Sequence, residues 1–195
     1  MNKSIKCKAA VLHDMGLPRP FSKSKPVKIE EIEVDPPGFG EVLIKVSAAG
    51  LCHSDLSVVN GNRPRAMPMV LGHEGSGVVA SLGEGVDDFE IGDHVVFVFV
   101  PSCGNCIPCK EGRPALCDPG LAAGGAGTLL SGEKRFRLNG DLINHQVGVS
   151  CFSEFTVVSS KSLVKVEKSL PLDEAALFGC AVITGAGAVF NTANI

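Results

Sequence analysis

Over the first 170 or so positions the chain alternates apolar and polar residues in short runs, with the two-residue period of half-buried strands. VKIEEIEV at 27–34 and EVLIKVS at 41–47 show the pattern most plainly. Similar runs predict strands at 8–13, 27–34, 42–48, 77–82, 94–100, 154–158 and 163–166. Glycine and proline punctuate them, as in PPGFG at 36–40 and GEG at 83–85. The expected fold is mainly β with short helices, a compact and largely antiparallel barrel or sandwich.

Two stretches depart from this rhythm. Residues 118–150 show no strong core pattern apart from FRLNGDLI, where Asn139-Gly140 suits a tight type I′ hairpin turn. Long ordered loops of this kind usually serve function. After Leu170 the chain becomes alanine-rich and reads as helical, with Asp173 and Glu174 near a helix start. The expected division is therefore a β-rich body at 1–170 and a helical segment at 171–195.

Composition narrows the class. With 195 residues and 45% apolar content, the chain can build a core without covalent staples. A formal charge of −3 with no block of like charge argues against nucleic acid or an anionic membrane as the main partner. The longest aliphatic and aromatic run, VVFVFV at 95–100, falls well short of the roughly 20 residues of a membrane span. The start, MNKSIKCKAAVLHDMG, holds lysines but no apolar stretch of signal-peptide length, so a cytoplasmic location is expected. There, the eight cysteines are expected as thiols or metal ligands rather than disulfides.

Four of them fall together in CGNCIPCKEGRPALC: Cys103, Cys106, Cys109 and Cys117, with the spacing C-x2-C-x2-C-x7-C. Four thiolates complete the tetrahedral shell of a structural zinc and leave no position for substrate. An iron–sulfur cluster is the alternative that spacing alone leaves open. Either way the metal staples a loop with almost no apolar core, and the chemistry must lie elsewhere. A nucleic-acid-binding ribbon is disfavoured, because the loop offers only Lys110 and Arg113 beside Glu111.

Two further segments carry reactive residues: GLCHSD, with Cys52, His53, Ser54 and Asp55, and GHEGSGVV, with His73 and Glu74. Each is weak alone. Together with GDHVV, the four-cysteine loop, FSEFTVV and GCAVITGAGAVFNTA, they resemble the zinc-dependent medium-chain alcohol dehydrogenases over essentially the whole chain. The CHSD form and the long 118–150 segment look closest to the class III, glutathione-dependent formaldehyde dehydrogenase branch.

The resemblance implies a GroES-like, partly open β-barrel with a zinc-stapled loop, and C-terminal helices leading to a Rossmann domain that this chain lacks. It implies two zinc ions per chain and NAD or NADP as coenzyme. Cys52, His73 and Cys180 match the ligands of the catalytic zinc, whose open fourth position takes the alcohol oxygen and lowers its pKa before hydride transfer. Ser54 matches the hydroxyl that passes the proton outward, Asp55 the carboxylate that orients the histidine, and Glu74 a carboxylate close behind the metal. His53 matches a basic residue facing the coenzyme phosphates, Thr184 a nicotinamide contact, and Phe99 a wall of the substrate pocket. Small alcohols or aldehydes are the implied substrates, and a homodimer or tetramer the implied state of the full-length enzyme.

Some positions depart from that pattern. Ser57 stands where many members place the histidine that ends the proton relay, which leaves solvent, His53 or another base for that role. Arg63 falls in a region that is often apolar, so a substrate more polar than a simple alkanol is expected. Cys7 and Cys151 match no ligand and are expected to be buried thiols. GAGAVFN at 185–191 lacks the third glycine of a dinucleotide fingerprint, so the coenzyme domain is expected beyond Ile195 and the chain alone is expected to have lost most hydride transfer. The competing reading is a zinc-stabilised scaffold that binds a protein partner; it gives no reason for Cys52, His73 and Cys180.

Overall fold

A computed structural model describes residues 3–193. Its strands, in chain order, are β1 (Ile5–Leu12), β2 (Val27–Val34), β3 (Glu41–Ala49), β4 (Met69–Val70), β5 (Gly75–Leu82), β6 (His94–Phe97), β7 (Phe136–Leu138), β8 (Asp141–His145), β9 (Phe155–Ser159) and β10 (Leu163–Val166). Short helices α1 (Phe21–Ser24), α2 (His53–Val59), α3 (Ile107–Lys110), α4 (Asp118–Ala126), α5 (Leu172–Ala175) and α6 (Ala181–Gly187) decorate them. One sheet closes as a barrel in the order β1-β2-β7-β8-β4; the other is an open sheet in the order β10-β6-β5-β3-β9. All pairings are antiparallel except β4 with β8.

β3 is buried on both faces and therefore sits between two cores. Leu43 packs into the barrel with Val11, Ile32, Phe136, Ile143 and Val157. Its neighbours Val42 and Ile44 point the other way, against Val79, Val95, Phe97 and Val158. This is why VLI interrupts the alternation in EVLIKVS. At its start Glu41 is almost fully buried, at 1% exposure. Its carboxylate accepts bonds from the Gly38 N–H (2.7 Å), the Ser131 hydroxyl (2.7 Å) and Arg135 Nε (2.6 Å). These donors offset the cost of taking the charge out of water.

The strands at 27–34 and 163–166 fall where the pattern places them. The run at 94–100 does not continue: the strand stops at Phe97, the Val98 N–H turns to the Ser162 carbonyl, and Val100 takes φ 60°. Apolar continuity there reflects burial around a bend, not extended backbone. Residues 118–150 are not a long loop either. They hold α4, the buried Leu129, and the two strands that complete the barrel. Asn139 and Gly140 both have positive φ, 53° and 91°, as a type I′ hairpin turn needs. The end of the chain is helical through α5, α6 and a wider last turn at 188–193, and all eight cysteines are free, with Cys7 and Cys151 buried. No single helix among the described residues is long and apolar enough to cross a membrane.

β8 ends on His145, which is fully buried and stacked on Phe136 at 4.3 Å. Its Nε2 accepts the Arg135 N–H at 3.1 Å, so the ring proton sits on Nδ1, which has no partner. Burial, with the charges of Arg135 and Lys134, lowers its pKa to about 3. The unfolded chain therefore binds the extra proton first, between pH 6.5 and about 3, and stability falls as pH falls through that window. Denaturant melts at pH 7 and pH 5 should show a loss about 2 kcal/mol larger in the parent than in His145→Gln; equal losses would place the acid sensitivity elsewhere.

Candidate metal centres

α2 is fixed through Val58 and Val59, which pack on Leu12, Met69 and Leu71. Cys52 is its N-cap residue, and one turn in, Asp55 Oδ2 accepts the Cys52 N–H at 3.1 Å. The same apolar cluster ends at Leu71, and the chain then turns at Gly72 with φ 99° to deliver His73. Any side chain at Gly72 would meet the Phe152 nitrogen at 2.5 Å. Cys180 arrives from the far end of the chain as N-cap of α6, and a side chain on the preceding Gly179 would collide with the Phe97 carbonyl. Three distant segments thus converge.

The Sγ atoms of Cys52 and Cys180 lie 4.0 Å apart, and with a nitrogen of His73 the three donors fall within 4.8 Å of one another. A tetrahedron with Zn–S bonds of about 2.3 Å has edges of about 3.8 Å, so this donor set fits a zinc ion with one position left over. His73 Nδ1 is bonded to Asp55 Oδ1 at 2.8 Å, and both side chains are buried. That leaves Nε2 for the sulfurs. Asp55 is held in turn by Gln146 Nε2 at 2.8 Å, whose own carbonyl oxygen accepts the Gly72 N–H at 2.6 Å. The Ser150 hydroxyl accepts the Gln146 N–H (2.7 Å) and donates to the Val70 carbonyl (2.7 Å).

The electrostatics follow from these contacts. Burial alone would lower the His73 pKa, but the bond and charge of Asp55 outweigh it and the net shift is upward. Burial would raise the Cys52 thiol, yet the N–H and hydroxyl of Ser54, together with His73, bring it down. Burial and the neighbouring Cys52 push Cys180 up to about 11. Of the two thiols Cys52 is therefore the one that ionises more readily.

Ser54 and His73 line a narrow cleft of about 40 Å³ with Val58, Phe99, Gln146 and Val147, and with the exposed Arg63 and half-exposed Arg65. Phe99 stands edge-on to the His73 ring at 5.5 Å. Glu74 is buried and its Oε1 accepts the Ala181 N–H at 2.8 Å, which pins the start of α6 beside Cys180. Thr184 is exposed one turn along α6, where its N–H bonds the Cys180 carbonyl at 3.0 Å. His53 is exposed and does not line the cleft; its Nδ1 lies 3.4 Å from the Ser57 hydroxyl. Gln146 and Ser150 escape the sequence reading. The trace of Gln146 is the polar run NHQ, which breaks the apolar pattern after LI in β8; Ser150 leaves none.

The four sulfurs of Cys103, Cys106, Cys109 and Cys117 also lie within 4.8 Å of one another. Backbone N–H groups point at them: Asn105 and Cys106 toward Cys103 Sγ at 3.4 Å each, and Cys103 (3.2 Å) and Gly120 (3.4 Å) toward Cys117 Sγ. The N–H groups of Asn105 and Cys106 lower the Cys103 thiol to about 6, whereas burial and the neighbouring thiols push Cys109 up to about 12. A closed four-sulfur shell with donated N–H bonds suits a structural zinc.

Residues 38–168 match the model of the alcohol dehydrogenase GroES-like domain, and the chain belongs to that family. It is 43% identical over 194 residues to a Drosophila melanogaster alcohol dehydrogenase class-3, covering 99% of this chain and 49% of the relative. It is 42% identical over 192 residues to an S-(hydroxymethyl)glutathione dehydrogenase of Synechocystis sp., covering 98% and 50%. Among solved structures, an alcohol dehydrogenase zinc-binding domain protein from Burkholderia ambifaria superposes with TM-score 0.87 at 34% identity, covering 97% of this chain and 50% of that one. Benzyl alcohol dehydrogenase from Acinetobacter calcoaceticus gives 0.83 at 32%, covering 96% and 48%. The chain spans about half the length of these relatives.

Gln146→Leu should leave the Gly72 N–H unpaired and Asp55 short of a donor. We expect a stability loss of about 1–3 kcal/mol and a drop of about 10–100-fold in zinc affinity at the Cys52–His73–Cys180 site alone, read by competition with a metal chelator. An unchanged affinity would show that Asp55 orients His73 without Gln146.

Proposed function

We propose that this chain is the zinc-binding catalytic half of an NAD- or NADP-dependent alcohol dehydrogenase that converts an alcohol to an aldehyde or ketone. The observation that carries the reading is the convergence of the Cys52, His73 and Cys180 donors within 4.8 Å of one another, with His73 lining the adjoining cleft and its Nδ1 fixed by a buried carboxylate. Cys103, Cys106, Cys109 and Cys117 would hold a second, structural zinc. The relatives' names, an alcohol dehydrogenase and an S-(hydroxymethyl)glutathione dehydrogenase, support the reaction class.

When bound at the first site, zinc supplies a Lewis acid that makes an alcohol proton easier to lose. The chain's own residues do the rest. Asp55 keeps His73 in the Nδ1–H tautomer and aimed at the cleft. Ser54, lining the same cleft, takes the hydroxyl proton and passes it outward. The Ser57 hydroxyl beside His53 offers a continuation toward solvent in place of a histidine at position 57. Phe99 and Val58 exclude water from the reacting end. Glu74 holds Cys180 through α6.

Residues 1–170 form the catalytic domain in this reading, and 171–195 lead to a coenzyme domain carried by the other half of the relatives' length. Leu177, Phe178, Val182, Ile183, Val189 and Phe190 are exposed along that segment, as expected of a surface that a further domain covers. The full-length enzyme would be a cytoplasmic homodimer or tetramer, with His53 and Thr184 contacting the coenzyme; the 195-residue chain alone would bind zinc and alcohol but transfer hydride poorly.

Elemental analysis tests this. Two zinc ions per chain are expected. Cys109→Ser should lose one and lower the melting temperature, whereas His73→Ala should lose the other and keep the four-sulfur metal. A chain that holds one zinc, unaffected by His73→Ala, would favour a non-catalytic scaffold.

A further inference from the structure

We propose that the cleft at His73 recognises an alcohol bearing an oxyanion, carboxylate or phosphate, through the guanidinium groups of Arg63 and Arg65. This rests on the reading of that cleft as the substrate site. Arg63 and Arg65 line it together with Ser54 and His73. Their segment is folded back onto the end of α2: the Gly61 N–H bonds the Val58 carbonyl (3.1 Å), the Arg63 N–H the Ser57 carbonyl (2.9 Å), and the Asn62 N–H the Asn60 side chain (3.0 Å). The helix that starts at Cys52 therefore also sets where these arginines stand.

Their charges are unanswered. Arg135 and Arg137 each hold a carboxylate, Glu41 and Asp35, at 2.6 and 2.9 Å. Among the described residues neither Arg63 nor Arg65 has such a partner; Arg65 only bonds the Pro64 carbonyl at 3.1 Å. The nearest acid behind the cleft wall, Asp55, spends its oxygens on His73, Gln146 and the Cys52 N–H. Glu74 is bonded to Ala181. Both arginines line one cleft, and among the described residues no carboxylate pairs with either. A ligand oxyanion can do so, and the planar guanidinium fork matches carboxylate or phosphate with paired bonds. Arg63 is exposed and His73 buried, so the anion sits at the solvent end and the hydroxyl at the histidine end. The substrate class is a hydroxy acid or hydroxyalkyl phosphate.

Calorimetric titration of the zinc-loaded full chain tests the proposal with 4-hydroxybutanoate, 4-hydroxybutyl phosphate and butan-1-ol at low ionic strength. At least one anionic probe should bind about tenfold or more tightly than butan-1-ol; the tighter of the two names the group. Arg63→Gln with Arg65→Gln should bring that ratio to within about twofold, with zinc content and melting temperature unchanged. Equal affinity for all three probes, no binding of either anion, or a ratio that survives the double substitution overturns the proposal. His73→Ala separates the two readings: it should weaken every probe and remove one zinc yet preserve the anionic preference. If it changes neither zinc content nor affinity, the metal reading fails while the arginine ratio still stands or falls by itself.

Discussion

One buried carboxylate joins the parts of this site. Asp55 holds the start of α2 by its bond to the Cys52 N–H, the turn after β4 by its bond to His73, and the end of β8 by its bond from Gln146. An isolated carboxylate in this position would cost several kcal/mol in lost hydration, and three donors remove that cost. Because the same three bonds set a cysteine backbone, a histidine tautomer and a glutamine, none of them can shift alone. The geometry of the candidate metal site is thus a property of the barrel's closure, carried inward by one side chain.

Much of this was legible in the chain itself. The alternation in VKIEEIEV marks β2, and Asn139-Gly140 marks the β7–β8 hairpin, because both signals are local. The two cysteine and histidine sets are legible for a different reason: donors of those types at those spacings have few other uses, and the family pattern joins the distant ones. What stayed hidden depends on contacts far along the chain. Gln146 meets partners 74 and 91 positions away, so no window of neighbouring residues marks it. Leu129 is a core residue in a stretch with no periodicity, since the barrel buries it singly. The apolar run past Phe97 misleads, because it is half-buried around a bend without being extended.

The two candidate metal sites differ in how they relate to the fold. The four-sulfur shell is built by its own loop, with backbone N–H groups of the same loop turned on the sulfurs. The other draws on α2, on the turn before β5 and on the start of α6, and Glu74 ties the last of these to the residue next to His73.

The sequence separations of the ligands carry a consequence for the order of events in the chain's life. Cys103 and Cys117 are 14 positions apart, whereas Cys52 and Cys180 are 128 apart. Bringing the ends of the longer loop together costs about 2 kcal/mol more in chain entropy. That cost is met only when the barrel and both cores have formed. The four cysteines of the short loop are brought together by local structure, but the long-range trio has no geometry to offer until the strands are paired. A metal held by the second set would therefore be a mark of maturity, since only a chain that has finished folding presents those three donors together.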